Sequence, residues 1–327
     1  MFPAAGATAE LAVNVIAPPA ELMFPITLTT PLASTVIFPP AVVKSATVTS
    51  AAPWWPETTP AVSAVTPASK FKLGLVTYNL ARNWDIETII KNCEATGFEG
   101  VELRTTHAHG VEPSISQAWR AEVKKRFENS KVKLVSLGST CEFESSDPAV
   151  VHQNIELARQ FCELAHDLGC LGVTVRPNGF PPNSDHAKVL EQIGHALSEC
   201  GEFALRLGVE IWLEVHGPET QIPANISEIM AACGHPAVGI CWNSNPTDVQ
   251  DGSVKASFEL LKPWLRSCHI NDLDRKDYPW HELFALFRDV GYDRYTFCEI
   301  GEPSCEPVRL MKYYRALWEY TSGIPRP

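Results

Sequence analysis

Residues 208–217 read Gly-Val-Glu-Ile-Trp-Leu-Glu-Val-His-Gly. A glycine ends a long amphipathic stretch (His186–Leu207), an apolar run follows, and the run closes on an acid, an imidazole and a second glycine. This is a helix stop, a buried strand and a polar strand end in ten residues. The same phrase recurs on both sides of it. Strands are predicted over Leu73–Asn79, Gly100–Arg104, Lys133–Ser139, Gly172–Asn178, Val209–Gly217, Val238–Asn245, Ser267–Leu273 and Tyr295–Glu302. Helices fall between them over Asp85–Thr96, Ser116–Asn129, Pro148–Leu168, His186–Leu207, Asn225–Cys233, Val254–Leu265, Trp280–Val290 and Glu306–Tyr320. Asp85 and Asp147 stand where N-caps belong, and Gly97, Gly169, Gly208, Gly234 and Gly291 follow helix ends.

Most of these strands are near-continuous apolar runs, as needed when helices cover a parallel sheet. Eight strand–helix units in about 250 residues is the size of one closed (β/α)8 TIM barrel. An open doubly wound sheet would carry a glycine-rich phosphate turn after its first strand, and Tyr78-Asn79-Leu80-Ala81-Arg82 is not one. The barrel is therefore expected over residues 71–327. Residues 1–70 differ: they hold eleven of the 26 prolines, two Lys, no Arg and no His. Such a Pro/Ala/Thr-rich segment extends neither a helix nor a central strand. It is expected to be disordered, or to lie upstream of the true start of translation.

The formal charge of -11 opposes a nucleic-acid partner, which needs a basic stripe. No run of 18 apolar residues is present to span a membrane. The ten cysteines form no CxxC pair or disulfide rhythm and read as small buried hydrophobes in a reducing compartment. A cytoplasmic location is the expectation, with export the alternative if the true start carries a leader.

In such a barrel, reacting groups sit at the carboxyl ends of the strands. Glu214, Asn243, His269 and Glu299 follow apolar stretches at equivalent places on four consecutive strands, and period-2 alternation points them one way. Two carboxylates converging in a barrel mouth repel each other. One divalent cation (Mn, Mg, Co or Zn) with mixed oxygen and nitrogen ligands offsets that charge most simply. For any one residue a plain structural role is the commoner explanation; four in register are harder to explain that way.

With these residues in place, the chain resembles the xylose isomerase-like TIM barrel superfamily, the sugar phosphate isomerase/epimerase group. The resemblance covers Phe71–Tyr320 and rests on the Glu102 strand, Glu214-Val215-His216, Cys241-Trp242-Asn243-Ser244-Asn245, His269-Ile270-Asn271-Asp272 and Glu299. It implies a metal held by Glu214, His269 and Glu299, with Asn243 standing where the family has Asp. That exchange leaves two negative charges in the ligand set in place of three. It also implies proton transfer through an enediolate, with Glu214 and Glu299 as base and acid. Arg104, His107, His109, Arg176, Asn178, His216 and Asn245 would line the pocket for a small carbohydrate-like substrate, and the two Arg admit a sugar acid or phosphate. The plain alternative for the two Arg is ion pairing with Glu102, Glu112 or Glu302. Trp242 could stack on a sugar or belong to the core. Barrels of this group often pair, so a homodimer is an expectation. Alternatives are a metal-dependent lyase or dehydratase on a keto-sugar or 3-keto-glycoside, and a non-catalytic sugar-binding relative with a decayed metal site. An apurinic-site endonuclease is disfavoured by the acidic charge and by the shortage of further His at strand ends.

Overall fold

The computed structural model describes residues 70–301 and 305–324. The expectations for residues 1–69, and for Glu302 as an ion-pair partner, lie outside the described residues. Eight parallel strands close a barrel in chain order: β1 Lys72–Val76, β2 Gly100–Arg104, β3 Lys133–Glu142, β4 Gly172–Arg176, β5 Glu210–Glu214, β6 Val238–Asn243, β7 Leu265–Ile270 and β8 Tyr295–Cys298. The helices are α1 Ile86–Thr96, α2 Gln117–Glu128, α3 Pro148–Leu168, α4 His186–Leu207, α5 Pro223–Cys233, α6 Lys255–Leu261, α7 Trp280–Asp289 and α8 Pro307–Ser322. None of the described helices is long and apolar enough to cross a membrane.

Local chemistry sets the boundaries. Asp85 accepts from the Thr88 amide at 2.8 Å and Asp147 from the Ala149 amide at 2.9 Å, so both cap their helices as expected. Gly169 turns the chain out of α3 in the left-handed region, at φ 74°. The helix expected over Val254–Leu265 stops at Leu261, and a 3-10 turn, Lys262–Trp264, follows it. Pro263 explains the break, because it has no amide hydrogen to continue the α-helical ladder. β7 consequently begins at Leu265, two residues before the expected start.

One apolar core fills the space between barrel and helices, and a smaller one occupies the barrel itself, made by Val76, Val135, Trp212, Cys241 and Phe297. The inner core needs glycine opposite its largest members. A Cβ on Gly172 would lie 2.4 Å from the Trp212 ring, and one on Gly74 would lie 2.4 Å from Phe297. Below this layer, at the amino ends of the strands, Glu210 takes two hydrogen bonds from Arg294 at 2.6 and 2.9 Å and one from the Trp212 indole at 2.7 Å. Of the ten cysteines, nine are buried and Cys305 is exposed, and none forms a disulfide. Burial pushes the Cys141 thiol up to about 11 and the Cys170 thiol up to about 12.

Replacing Gly172 with Ala should destabilise the barrel by about 1–3 kcal/mol, the usual cost of overpacking. Thermal unfolding should move down by several degrees, and an unchanged midpoint would contradict the packing described.

Candidate functional site

The carboxyl ends of the strands carry the polar groups that the barrel cannot bury elsewhere. Asn243 on β6 pairs directly with His269 on β7, and the Glu299 amide continues the ladder by donating to Ile270 at 2.9 Å. His269 Nδ1 lies 3.4 Å from Glu299 Oε2 and 3.9 Å from Glu214 Oε1. Glu214, His269 and Glu299 each offer one ligand atom, and these atoms all lie within 4.8 Å of one another. Asn243 Nδ2 donates to Glu214 Oε1 at 3.0 Å, which adds the fourth residue to the cluster. The structure thus brings together all four residues expected to hold an ion.

Three buried atoms in this cluster have no hydrogen-bond partner: His269 Nδ1, His269 Nε2 and Asn243 Oδ1. Leaving buried polar atoms unmet is costly; the amide oxygen carries a free lone pair, and Nδ1 would offer one on giving up its proton. A cation flanked by two carboxylates would use both. The donor set is one nitrogen with several oxygens and two negative charges, so the residues present fit a divalent ion.

Beneath the cluster lies a residue whose part the sequence reading did not assign. Glu102, on β2, is 1% exposed and accepts from Ser136 Oγ at 2.7 Å and Thr174 Oγ1 at 2.8 Å. Its Oε1 stands 3.2 Å from His269 Nε2, an ionic contact off the line of a hydrogen bond. Burial pushes the Glu102 carboxyl up, but the adjoining imidazole and the two hydroxyls outweigh this and hold it below its ordinary value. Glu214 behaves the same way: burial raises it, and His269 and then His216 bring it down. Burial acts to lower His269, yet Cys241, Glu299 and Glu102 together carry it well above the ordinary imidazole value. Glu102 therefore holds the ring with Nε2 inward and Nδ1 toward Glu214 and Glu299, the arrangement that orients a metal-ligating histidine. An acid in an otherwise apolar strand, two residues before Arg104 on the same face, was the signal available in the sequence.

A cavity of about 420 Å³ opens over the cluster. Arg104, Arg176, His216 and Asn245 stand on its wall as expected, joined by Tyr78, Asn79, Gln221, Asn271 and Asp272. Three expected wall residues are elsewhere. His109 is buried, with Nε2 2.8 Å from the Arg104 carbonyl and Nδ1 accepting from the Val111 amide at 3.1 Å, so backbone groups occupy both ring nitrogens. His107 stacks on Tyr78, 6.3 Å between ring centroids, and meets Thr77 Oγ1 at 3.2 Å. Burial, with His109 nearby, lowers its imidazole to about 4. Asn178 points to solvent beyond the wall, because the chain leaves β4 after Arg176 and runs through Pro177.

The arginine partners also differ from those expected. Arg176 pairs with Glu142 at 2.9 Å, whereas Glu112 accepts from Thr105 Oγ1 at 2.5 Å and the Thr106 amide at 2.6 Å. Trp242 is core: it is buried, and its indole donates to Tyr278 at 3.0 Å. The half-exposed aromatic ring at the cavity belongs to Tyr78.

A barrel with acids and an imidazole at its strand ends defines a class of protein, and the comparisons agree with it. The profile described as xylose isomerase-like TIM barrel matches residues 90–317, and the chain belongs to that family. Among solved structures, it is similar to an L-ribulose 3-epimerase (15% identity, TM-score 0.67, covering 77% of this chain and 95% of that one). It is also similar to the IOLI protein with a bound zinc atom (18%, 0.62, 77% and 96%). A third likeness is to the probable 3-DHS dehydratase AsbF from Bacillus anthracis (16%, 0.61, 76% and 98%). At these identities the likeness is one of fold. No curated protein matches the sequence.

Behind Asn245 lies Asp248, whose Oδ2 accepts from the Tyr278 hydroxyl at 2.9 Å and from the Asn245 amide at 2.8 Å, while Oδ1 has no partner. Burial is the main cause that pushes this carboxyl from 3.8 up to about 7, against the pull of Tyr278, Asn245 and Arg275. A raised acid favours the folded state while protonated, so its contribution fades as pH climbs from about 4 to about 7. Asp248→Asn should therefore stabilise the protein more at pH 8.5 than at pH 5, by about 2 kcal/mol. Melting curves of both proteins at the two pH values test this, and equal differences would refute it.

Proposed function

We propose that this chain is an enzyme that isomerises or epimerises a small sugar by moving a proton beside a carbonyl, with a divalent ion held by Glu214, Asn243, His269 and Glu299. The observation that carries the reading is the cluster of two carboxylates, an orphaned imidazole nitrogen and an orphaned amide oxygen at the floor of a polar cavity. Once bound, such an ion polarises a carbonyl and its neighbouring hydroxyl and makes the C–H between them acidic.

The protein's own residues do the rest. Glu214 reaches the cavity from β5 and Glu299 from the end of β8, so a sugar carbon between them has a carboxylate on two sides. One takes the proton and the other returns it, and which does which sets the direction of reaction. His216 and Asn245 stand on the wall within reach of sugar hydroxyls, and Tyr78 offers an apolar face to the ring. Asn in place of Asp at 243 keeps an oxygen ligand and gives up one charge, which favours a site that binds its ion less tightly and exchanges it. The epimerase among the fold relatives supports this reading.

A lyase or dehydratase would use the same groups on a substrate whose leaving group adjoins the enolate. The dehydratase AsbF among the fold relatives keeps that reading in view. Product mass separates the two: epimers keep mass and dehydration loses water. A decayed, non-catalytic site is disfavoured, since nothing then explains two buried, unused ligand atoms.

Glu299→Gln should lower deuterium wash-in from solvent into a ketose by about 1000-fold while the circular-dichroism spectrum stays unchanged. Undiminished exchange would sink the assignment. Glu102→Gln should weaken Mn²⁺ binding by about 10- to 100-fold, as loss of a carboxylate behind a ligating histidine does. Calorimetric titration with the metal alone reads this directly, and wild-type affinity in the variant would count against the orienting role.

A further inference from the structure

Part of the cavity wall is built from the residues that follow β6 and β7, and one buried acid joins the two segments. Asn245 stands on the first, Asn271 and Asp272 on the second. Asp248 closes the 3-10 turn Pro246–Asp248 behind Asn245 and is 1% exposed. Its Oδ2 accepts from the Asn245 amide at 2.8 Å, within its own turn. The same oxygen accepts at 2.9 Å from the hydroxyl of Tyr278, at the far end of the connection that begins with Asn271. Trp242, beside Asn243 in β6, donates its indole N–H to that hydroxyl at 3.0 Å. The Tyr278 oxygen therefore accepts on one side and donates on the other, which fixes the direction of its proton. At the near end of the connection, Asn271 Nδ2 donates to the Ser244 carbonyl at 3.2 Å. Asn245 is also held toward β5, its Nδ2 donating to the Val215 carbonyl at 2.5 Å.

Keeping a connection on the barrel takes no buried carboxyl. Removing one from water costs stability, and Oδ1 of Asp248 meets no partner at all. Apolar contact is already available, since Tyr278 packs on Trp280 with 4.3 Å between ring centroids. Hydrogen bonds add position: a site that reads substrate hydroxyls needs its side chains held to within about 0.5 Å by groups behind them. We propose, resting on the sugar-isomerase reading above, that Asp248 is a positioning residue: with Tyr278 as its arm, it sets Asn245 against Asn271 and Asp272 and so shapes the wall that receives the sugar's hydroxyls. The ion's site lies outside this device, because Glu102 orients His269 from the layer beneath. Both donors address Oδ2, so an amide oxygen in its place serves as well, and the amide nitrogen takes the position of the partnerless Oδ1.

Three variants of the full chain test this. Tyr278→Phe removes the arm, Asp248→Ala removes the acceptor, and Asp248→Asn keeps an acceptor without the acid. Calorimetric titration with Mn²⁺ alone, and with D-fructose in its presence, reads the ion and the wall separately. Tyr278→Phe and Asp248→Ala should each weaken D-fructose binding about tenfold and leave Mn²⁺ affinity within about twofold of wild type. Asp248→Asn should recover most of what Asp248→Ala loses. Amide hydrogen exchange across residues 271–279 should quicken about tenfold in Tyr278→Phe. Gly172→Ala, destabilised at the opposite end of the barrel, should bind D-fructose as wild type does, which separates positioning from a general loss of stability. Tyr278→Phe carries every readout if Asp248→Ala does not fold. Wild-type D-fructose affinity in Tyr278→Phe overturns the proposal. So does a parallel fall in Mn²⁺ affinity, or an Asp248→Asn variant as weak as Asp248→Ala. Wild-type chain that binds D-fructose without washing deuterium into it rejects the proton transfer and keeps the positioning role. Wash-in indifferent to Tyr278→Phe rejects the positioning role alone, and no binding of D-fructose by wild type rejects both.

Discussion

A carboxylate enclosed by a barrel is tolerable only if something within the barrel meets its charge, and in this molecule that partner is the ring of His269. The contact between Glu102 and His269 Nε2, 3.2 Å long and almost wholly shielded from solvent, joins β2 to β7 across the interior. Ser136 and Thr174 bring β3 and β4 into the same arrangement. Removing one member of such a buried pair leaves an uncompensated charge, typically costing about 3–5 kcal/mol. The pairing also has a direction. With Nε2 committed downward, Nδ1 must face Glu214 and Glu299, so the geometry of the cluster above is inherited from the layer below it.

The barrel stacks its chemistry in levels. Glu210 with Arg294 and the Trp212 indole closes the amino-terminal end, a small apolar layer containing Phe297 and Trp212 separates it from the rest, and the acids and imidazole lie above. The apolar layer keeps water and the lower ion pair away from the upper charges, where a low-dielectric surrounding strengthens every interaction. Glycines at 74 and 172 make this layer compact enough to act as a floor.

Much of this was legible in the sequence, and the reasons differ from residue to residue. Helix ends were readable because capping is local: Asp85, Asp147 and Gly169 act on atoms within a few residues of themselves. Glu214, Asn243, His269 and Glu299 were readable because strand order and period-2 alternation fix which side chains share a face. Partners set by three-dimensional packing were not. Glu102 looked like a mate for Arg104, but the barrel's closure carries His269 to it instead. His109 looked like a wall residue, yet a turn that the sequence leaves undetermined folds its ring back onto the Arg104 carbonyl. Asn178 would reach the wall only if the fourth strand continued to it; β4 ends at Arg176, and beyond it alternation no longer applies.

The distribution of sulfur has a practical meaning for anyone handling the protein. Nine thiols are sealed away from solvent, and burial keeps those with shifted values protonated far above neutral pH, so oxidants and alkylating dyes find them unreactive. Cys305 alone meets water, in the connection that leads from Glu299 to α8. The native chain thus comes with one ready attachment point for a fluorophore, without any residue being changed.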